Sequence, residues 1–138
     1  VPRPRLYDKD QILDAVERLA VQSGAAAVTI RAISDAVGVS NGAVYHTFGS
    51  RAGLASRAWL RAGHRFLTLQ TRLIDTAQAA DPVAAVVAAA DAPAVFAERY
   101  PDSSRLVLTV RRDELLGSET PTDLADQLRD LDRLLVAS

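Results

Sequence analysis

Glycines and hydroxyl side chains cut the first half of this chain into short helices, and that punctuation is its strongest constraint. Gly24 closes one apolar-periodic stretch and Thr29 opens the next; Gly38 closes that one and Ser40 opens a third. A glycine takes the left-handed conformation that ends a helix. A Ser or Thr oxygen accepts one of the free N–H groups that begin the next. Ser50 then opens a fourth helix that runs much longer. Between these marks apolar residues recur at helical spacing. They are Ile12, Leu13, Val16, Leu19 and Ala20 within 8–23, then Ile30, Ile33 and Val37, then Val44 and Phe48. The fourth carries Leu54, Ala58, Ala62, Phe66, Leu69 and Leu73, with Trp59 beside the stripe. Asp8 and Gln11 have the spacing of a capping box at the first helix start.

The second half continues in the same period. Asp81-Pro82 pairs a capping side chain with a proline in the first turn, so 83–99 is predicted helical, bent at Pro93. Pro101-Asp102 breaks it, and 103–114 is expected as one further helix. After a loop over 117–121, Thr122 opens a last helix with Leu124, Leu128, Leu131 and Leu135 on one face. No stretch sustains the alternation of a strand. The reading is an all-α chain of seven helices.

Composition narrows the chemistry. The 138 residues include no cysteine, which removes disulfides, thiolate metal sites and a cysteine nucleophile. Two histidines make a multi-histidine metal site a poor expectation. No metal and no cofactor are expected. No carboxylate pair, triad or phosphate loop supports catalysis, so the chain does not read as an enzyme. The longest apolar run, 83–90, falls well short of the ~20 residues that span a bilayer. With no signal peptide visible, the expected location is the cytoplasm and no membrane contact is expected. Residue 1 is Val and the last helical pattern is unfinished at residue 138, so one or both ends of the natural protein are expected to lie beyond this sequence.

Charge is divided along the chain. Residues 1–72 carry ten basic and five acidic side chains, a net of +5, whereas 73–138 carry six and twelve, a net of −6. The sign changes inside the fourth helix, near Leu73. A basic half beside an acidic half suggests that the first meets a polyanion. Two solvated surfaces are the simpler alternative.

The second and third helices, separated by Gly38-Val39, form a helix-turn-helix. At about 100° per residue, Val44 and Phe48 share the inward face of the third helix. Gly42, Ala43 and His46 point the other way, with Asn41, Tyr45 and Thr47 on the flanks. A groove-reading helix needs such a division: one face packs, the other meets base edges. Small residues let it sit deep, and Ala43 suits a thymine methyl. His46 and Thr47 can bond base edges or phosphate, and Tyr45 suits phosphate, with a half-buried packing tyrosine and an idle surface histidine as alternatives. Helix N-termini attract phosphate. Thr29 with Arg31, and Ser50 with Arg51, put a hydroxyl and a guanidinium at such ends, and Ser40 caps the reading helix itself. Caps of this kind serve any helix, so they add nothing alone. Arg3 and Arg5, among prolines, form a basic arm that can follow the backbone or enter a minor groove.

The run Thr29-Ile30-Arg31-Ala32-Ile33-Ser34-Asp35-Ala36-Val37-Gly38-Val39-Ser40-Asn41-Gly42-Ala43-Val44-Tyr45-His46-Thr47-Phe48-Gly49-Ser50-Arg51-Ala52-Gly53-Leu54 resembles the signature of the tetracycline-repressor (TetR) family of bacterial transcription regulators. The likeness covers about residues 8–60. It implies an N-terminal three-helix DNA-binding domain over 1–50, joined through the long fourth helix to a partial helical effector and dimerisation domain over 51–138. It implies a homodimer on a palindromic operator of double-stranded DNA, released by a small-molecule effector. A repressor is the usual form. The family usually has lysine where Asn41 and Arg51 stand. Asn41 loses a charge, which bears on a phosphate contact or base preference, and Arg51 keeps one. Members generally run to nine helices, and the pair that makes the dimer's four-helix bundle would follow residue 138. Candidate pocket walls are Phe66, Gln70, Phe96, Tyr100, Val107 and Arg111, each with a simpler reading as core or as solvated charge. The alternative function is a helical protein-interaction module whose helix-turn-helix does not bind DNA.

Overall fold

In the computed structural model, residues 9–117 and 119–137 are described. Every regular element among them is helical: α1 Lys9–Ser23, α2 Ile30–Val37, α3 Asn41–Phe48, α4 Arg51–Ala80, α5 Pro82–Arg99, α6 Pro101–Thr109, α7 Arg112–Leu116 and α8 Thr122–Ala137. A 3-10 turn at Ala25–Ala27 links α1 to α2. The expected caps hold. Thr29, Ser40 and Ser50 accept from the backbone N–H groups of Ala32, Ala43 and Gly53, each at 3.0 Å. Asp81 accepts from the N–H of Val83 at 3.1 Å. The Asp8 cap and the arm bearing Arg3 and Arg5 lie outside the described residues.

The turn between α2 and α3 is pinned by one buried side chain. The Ser34 carbonyl accepts from Gly38 at 2.9 Å and from Val39 at 3.2 Å, and its hydroxyl donates to the Val39 carbonyl. Gly38 sits at φ 81°, where a β-carbon would be strained. At the next junction a β-carbon on Gly53 would lie 2.4 Å from the Phe48 carbonyl oxygen, so only glycine lets α4 start this close to the end of α3.

One apolar core runs through the chain. Ile12, Val16, Val28, Ile33 and Val44 are fully buried with Leu54 and Ala58 at the start of α4. The same core continues to Leu106, Leu115, Leu124 and Leu131. Trp59 is buried within it. Burying each such aliphatic side chain is worth about 1.5–3 kcal/mol before ordering costs. Further along α4, a β-carbon on Gly63 would meet the Leu131 side chain at 2.5 Å, so α8 crosses α4 at a glycine.

One expectation needs correction. Residues 103–114 are not one helix. α6 ends at Thr109, Val110 and Arg111 are extended, and α7 begins at Arg112. A continuous helix would set Leu106 and Leu115 nine residues apart, on opposite faces at about 100° per residue. The break lets both reach zero exposure. The described residues therefore contain eight α-helices, not seven. α5 runs as one helix from Pro82 to Arg99 with Pro93 inside it, as the sequence predicts.

Candidate nucleic-acid interface and an arginine cleft

On α3 the two faces separate as the spacing predicts. Val44 is fully buried and Phe48 half-buried, while Asn41, Gly42 and His46 are exposed. Tyr45 is 59% exposed, so it is not a packing tyrosine. Ala43 is half-buried instead of fully outward. Thr47 is half-buried too, and its hydroxyl donates to the Ala43 carbonyl at 2.9 Å, which spends its proton on the helix itself. The capping oxygens of Thr29, Ser40 and Ser50 accept within their own helices, which leaves each O–H to donate outward. Arg31 is exposed in the first turn of α2, with no carboxylate in salt-bridge reach among the described residues.

Arg51 is placed differently from its expected phosphate role. Its guanidinium is turned inward onto three backbone carbonyls. Nε donates to Val28 at 2.7 Å, Nη1 to Leu115 at 2.6 Å and Nη2 to Ala25 at 2.9 Å. The 3-10 turn has no side-chain cap of its own, and these bonds satisfy carbonyls at both its ends. They also tie the α1–α2 connection to α7. A planar fork of five N–H donors suits that three-way bond, and lysine cannot copy it. No local pattern marks this role, because Leu115 lies 64 residues away.

A second network fastens α1 to the acidic half. Glu17 on α1 is buried, and its Oε2 accepts from Ser103 Oγ at 2.6 Å. Its Oε1 lies 3.0 Å from Arg61 and 3.8 Å from Arg65. Burial pushes the Glu17 carboxyl above its ordinary value of 4.5, against the pull of Ser103, Arg61 and Arg65. Burial also works against the charge on Arg61, but Glu17, Asp14 and Asp10 outweigh it and hold that guanidinium protonated still more firmly. Arg61 bonds Asp14 at 2.7 Å and Asp10 at 3.1 Å.

The six pocket candidates do not gather around one cavity. Phe66 meets Phe96 edge-on at 5.4 Å, and Phe96 meets Tyr100 at 6.0 Å. Phe96 is buried, and Val107 packs against the core. Gln70 lies apart, in an open groove with Leu67, Ile74 and Leu134. Arg111 is a surface side chain beside Asp113 and Glu114, at 3.7 and 3.8 Å, so the solvated reading of that cluster stands. Only Tyr100 lines a more closed cleft, of about 280 Å³, between α4 and the end of α5. Its other walls are Arg61, His64, Arg65, Thr68, Leu69, Arg72 and Arg99. Sequence reasoning missed it. The signal was present: Arg61, Arg65, Thr68 and Arg72 follow the i, i+4, i+7, i+11 spacing of one helix face. Among the described residues no group of three or more His, Cys, Asp or Glu is placed to hold a metal, and no helix is long and apolar enough to cross a membrane.

Comparison with known proteins bears on the first of these sites. Residues 12–58 match the family model of bacterial regulatory proteins, tetR family. That span runs from the first core residue of α1 through α2 and α3 into α4. No curated protein sequence matches the chain. Among solved structures, the TetR family transcriptional regulator PfmR from Thermus thermophilus is similar, with a TM-score of 0.60 and 22% identity. The match covers 95% of this chain and 70% of that one, and at this identity it speaks for the all-α fold alone. Residues 12–58, set at the head of that fold, are thus similar to the tetR family of bacterial regulatory proteins.

Proposed function

We propose that the chain is a ligand-responsive transcriptional regulator that binds a palindromic operator as a homodimer, with α3 in the major groove. One observation carries this reading: α3 buries Val44 completely and leaves Tyr45, His46, Asn41 and Gly42 exposed on one short helix behind a pinned turn. A large exposed aromatic with a polar tip contributes little to the fold and suits a phosphate. Residues 1–50 serve as the DNA-binding domain and 51–138 as part of the effector domain, with α4 linking the two. Ser50 and Arg31 donate to phosphate, together with Arg3 and Arg5 from the arm. Arg51 acts behind them as a brace. Apolar side chains left in solvent, Val83, Val86 and Val87 on α5 and Leu134 on α8, support a partner subunit over that half. The regulator acts in the cytoplasm as a repressor, and an effector releases it by favouring the conformation that does not bind DNA.

Retention on duplex DNA tests the reading. Binding should fall steeply with salt, as counterion release requires. Tyr45→Ala should weaken operator and random duplex alike by about 1 kcal/mol or more. His46→Ala should change which sequences are preferred. Equal loss on operator and random DNA from His46→Ala contradicts base reading by that residue. Salt-insensitive retention favours the protein-interaction module instead.

A further inference from the structure

Four arginines line the cleft between α4 and the end of α5, and the fold pairs two of them, Arg61 and Arg65, with Glu17. Arg72 and Arg99 both line it, and among the described residues neither has a carboxylate within salt-bridge reach. Arg65 is already placed: its Nη1 donates to Ser103 Oγ at 3.2 Å, and its guanidinium lies 4.7 Å from the centre of the Tyr100 ring. The guanidinium of Arg99 lies 5.8 Å from the same ring centre. Two like charges against one ring repel each other, and a shared anion relieves that repulsion. His64 and Thr68 add a ring nitrogen and a hydroxyl from α4. Among the described residues no acidic side chain lines the cleft. Asp14, Glu17 and Asp102 lie in a neighbouring cleft that shares Arg65, Arg99 and Tyr100 with this one.

We propose that this cleft binds a small molecule bearing a carboxylate or phosphate group, held by Arg65, Arg72 and Arg99 with its body against Tyr100. Arginine forks match both oxyanions in a bidentate way. A cleft of about 280 Å³ fits a compact ligand and lies just below the usual range for drug-sized molecules. Double-stranded DNA is a poor occupant. Arg72 stands 21 residues along α4 from Arg51, about 30 Å from the helix-turn-helix end. The proposal names the ligand class for the effector reading, and it rests on that reading only for the consequence to DNA. Arg65 reaches Glu17 on α1 at 3.8 Å, so an anion that draws Arg65 toward the cleft competes with a contact to the DNA-binding half.

The test titrates inorganic phosphate, benzoate and uncharged benzamide into the full chain at constant ionic strength and follows the arginine Nε–Hε signals by NMR. Arg72 and Arg99 should shift saturably with one or both anions and not with benzamide. The stronger anion identifies a phosphorylated or a carboxylic ligand. Arg72→Gln with Arg99→Gln should lower anion affinity at least tenfold, with thermal unfolding confirming the fold. Shifts that never saturate, equal shifts at the exposed Arg57 and Arg129, or unchanged affinity in the double variant overturn the proposal. So does a parallel tenfold loss of DNA retention in that variant, which would make the cleft a phosphate-backbone contact. Tyr45→Ala probes DNA binding separately, so the two readings fail by different results.

Discussion

The two ends of α4 use arginine in opposite ways. At its first residue, Arg51 gives its guanidinium to three backbone carbonyls and ties the α1–α2 connection to α7. About six turns later, Arg72 faces a cleft with no carboxylate in reach among the described residues. In the sequence both read as one more positive charge in a basic half. The difference lies in what surrounds them. At the 3-10 turn before α2 the carbonyls of Ala25 and Val28 accept from an arginine at the head of α4, Ala25 in addition to its bond from the Val28 N–H. Around Arg72 the backbone is helical and already paired, so its charge stays available for a ligand.

The sharpest way to break this comparison is to remove each arginine in turn. Arg51→Ala deletes three charge-assisted hydrogen bonds and should cost about 3 kcal/mol, or about 10 °C in thermal midpoint. Arg51→Lys should recover little of it, since an ammonium lacks the fork. A midpoint unchanged in Arg51→Ala would show that water replaces the brace at no cost. Between those ends, α4 passes under α8 at Gly63. Gly63→Ala drives a methyl into Leu131 and should cost about 1–3 kcal/mol, read by denaturant unfolding. Full tolerance would mean that α8 rides loosely on α4.

A smaller effect belongs to Glu17, which shares Arg61 and Arg65 with the two regions. Its folded pKa lies above the ordinary 4.5, so its contribution to stability is complete below that pH and is lost as pH rises through the raised value. The advantage of the natural chain over Glu17→Gln should therefore be greatest near pH ~4 and shrink toward neutrality in thermal scans. The reverse trend would show that Arg61, Arg65 and Ser103 outweigh burial. The smallest effect closes the comparison: Arg72→Ala should leave stability within about 0.5 kcal/mol of the natural chain in the same scans.

Local chemistry was legible in the sequence wherever it acts over a few residues. Thr29, Ser40 and Ser50 each cap the helix that follows, and Val44 and Tyr45 fall on the faces that their spacing assigns. What escaped depends on partners far along the chain. The break at Val110–Arg111 follows from the need to bury both Leu106 and Leu115 in one core. The inward turn of Arg51 depends on a carbonyl 64 residues away. The pocket candidates scattered because Phe66 and Phe96 pack edge-on against each other and Arg111 has acidic neighbours of its own. The cleft that replaced them had a periodic mark in Arg61, Arg65, Thr68 and Arg72, but polar periodicity on a helix usually signifies only a solvated face.

In the proposed function the exposed face of α3 reads duplex DNA. Selection from random duplexes with this protein, followed by sequencing, tests it most directly. The expected result is enrichment of a palindrome whose two half-sites are contacted by two copies of α3, lost or changed in His46→Ala. A folded protein that enriches no motif, and whose weak retention ignores salt, would contradict it.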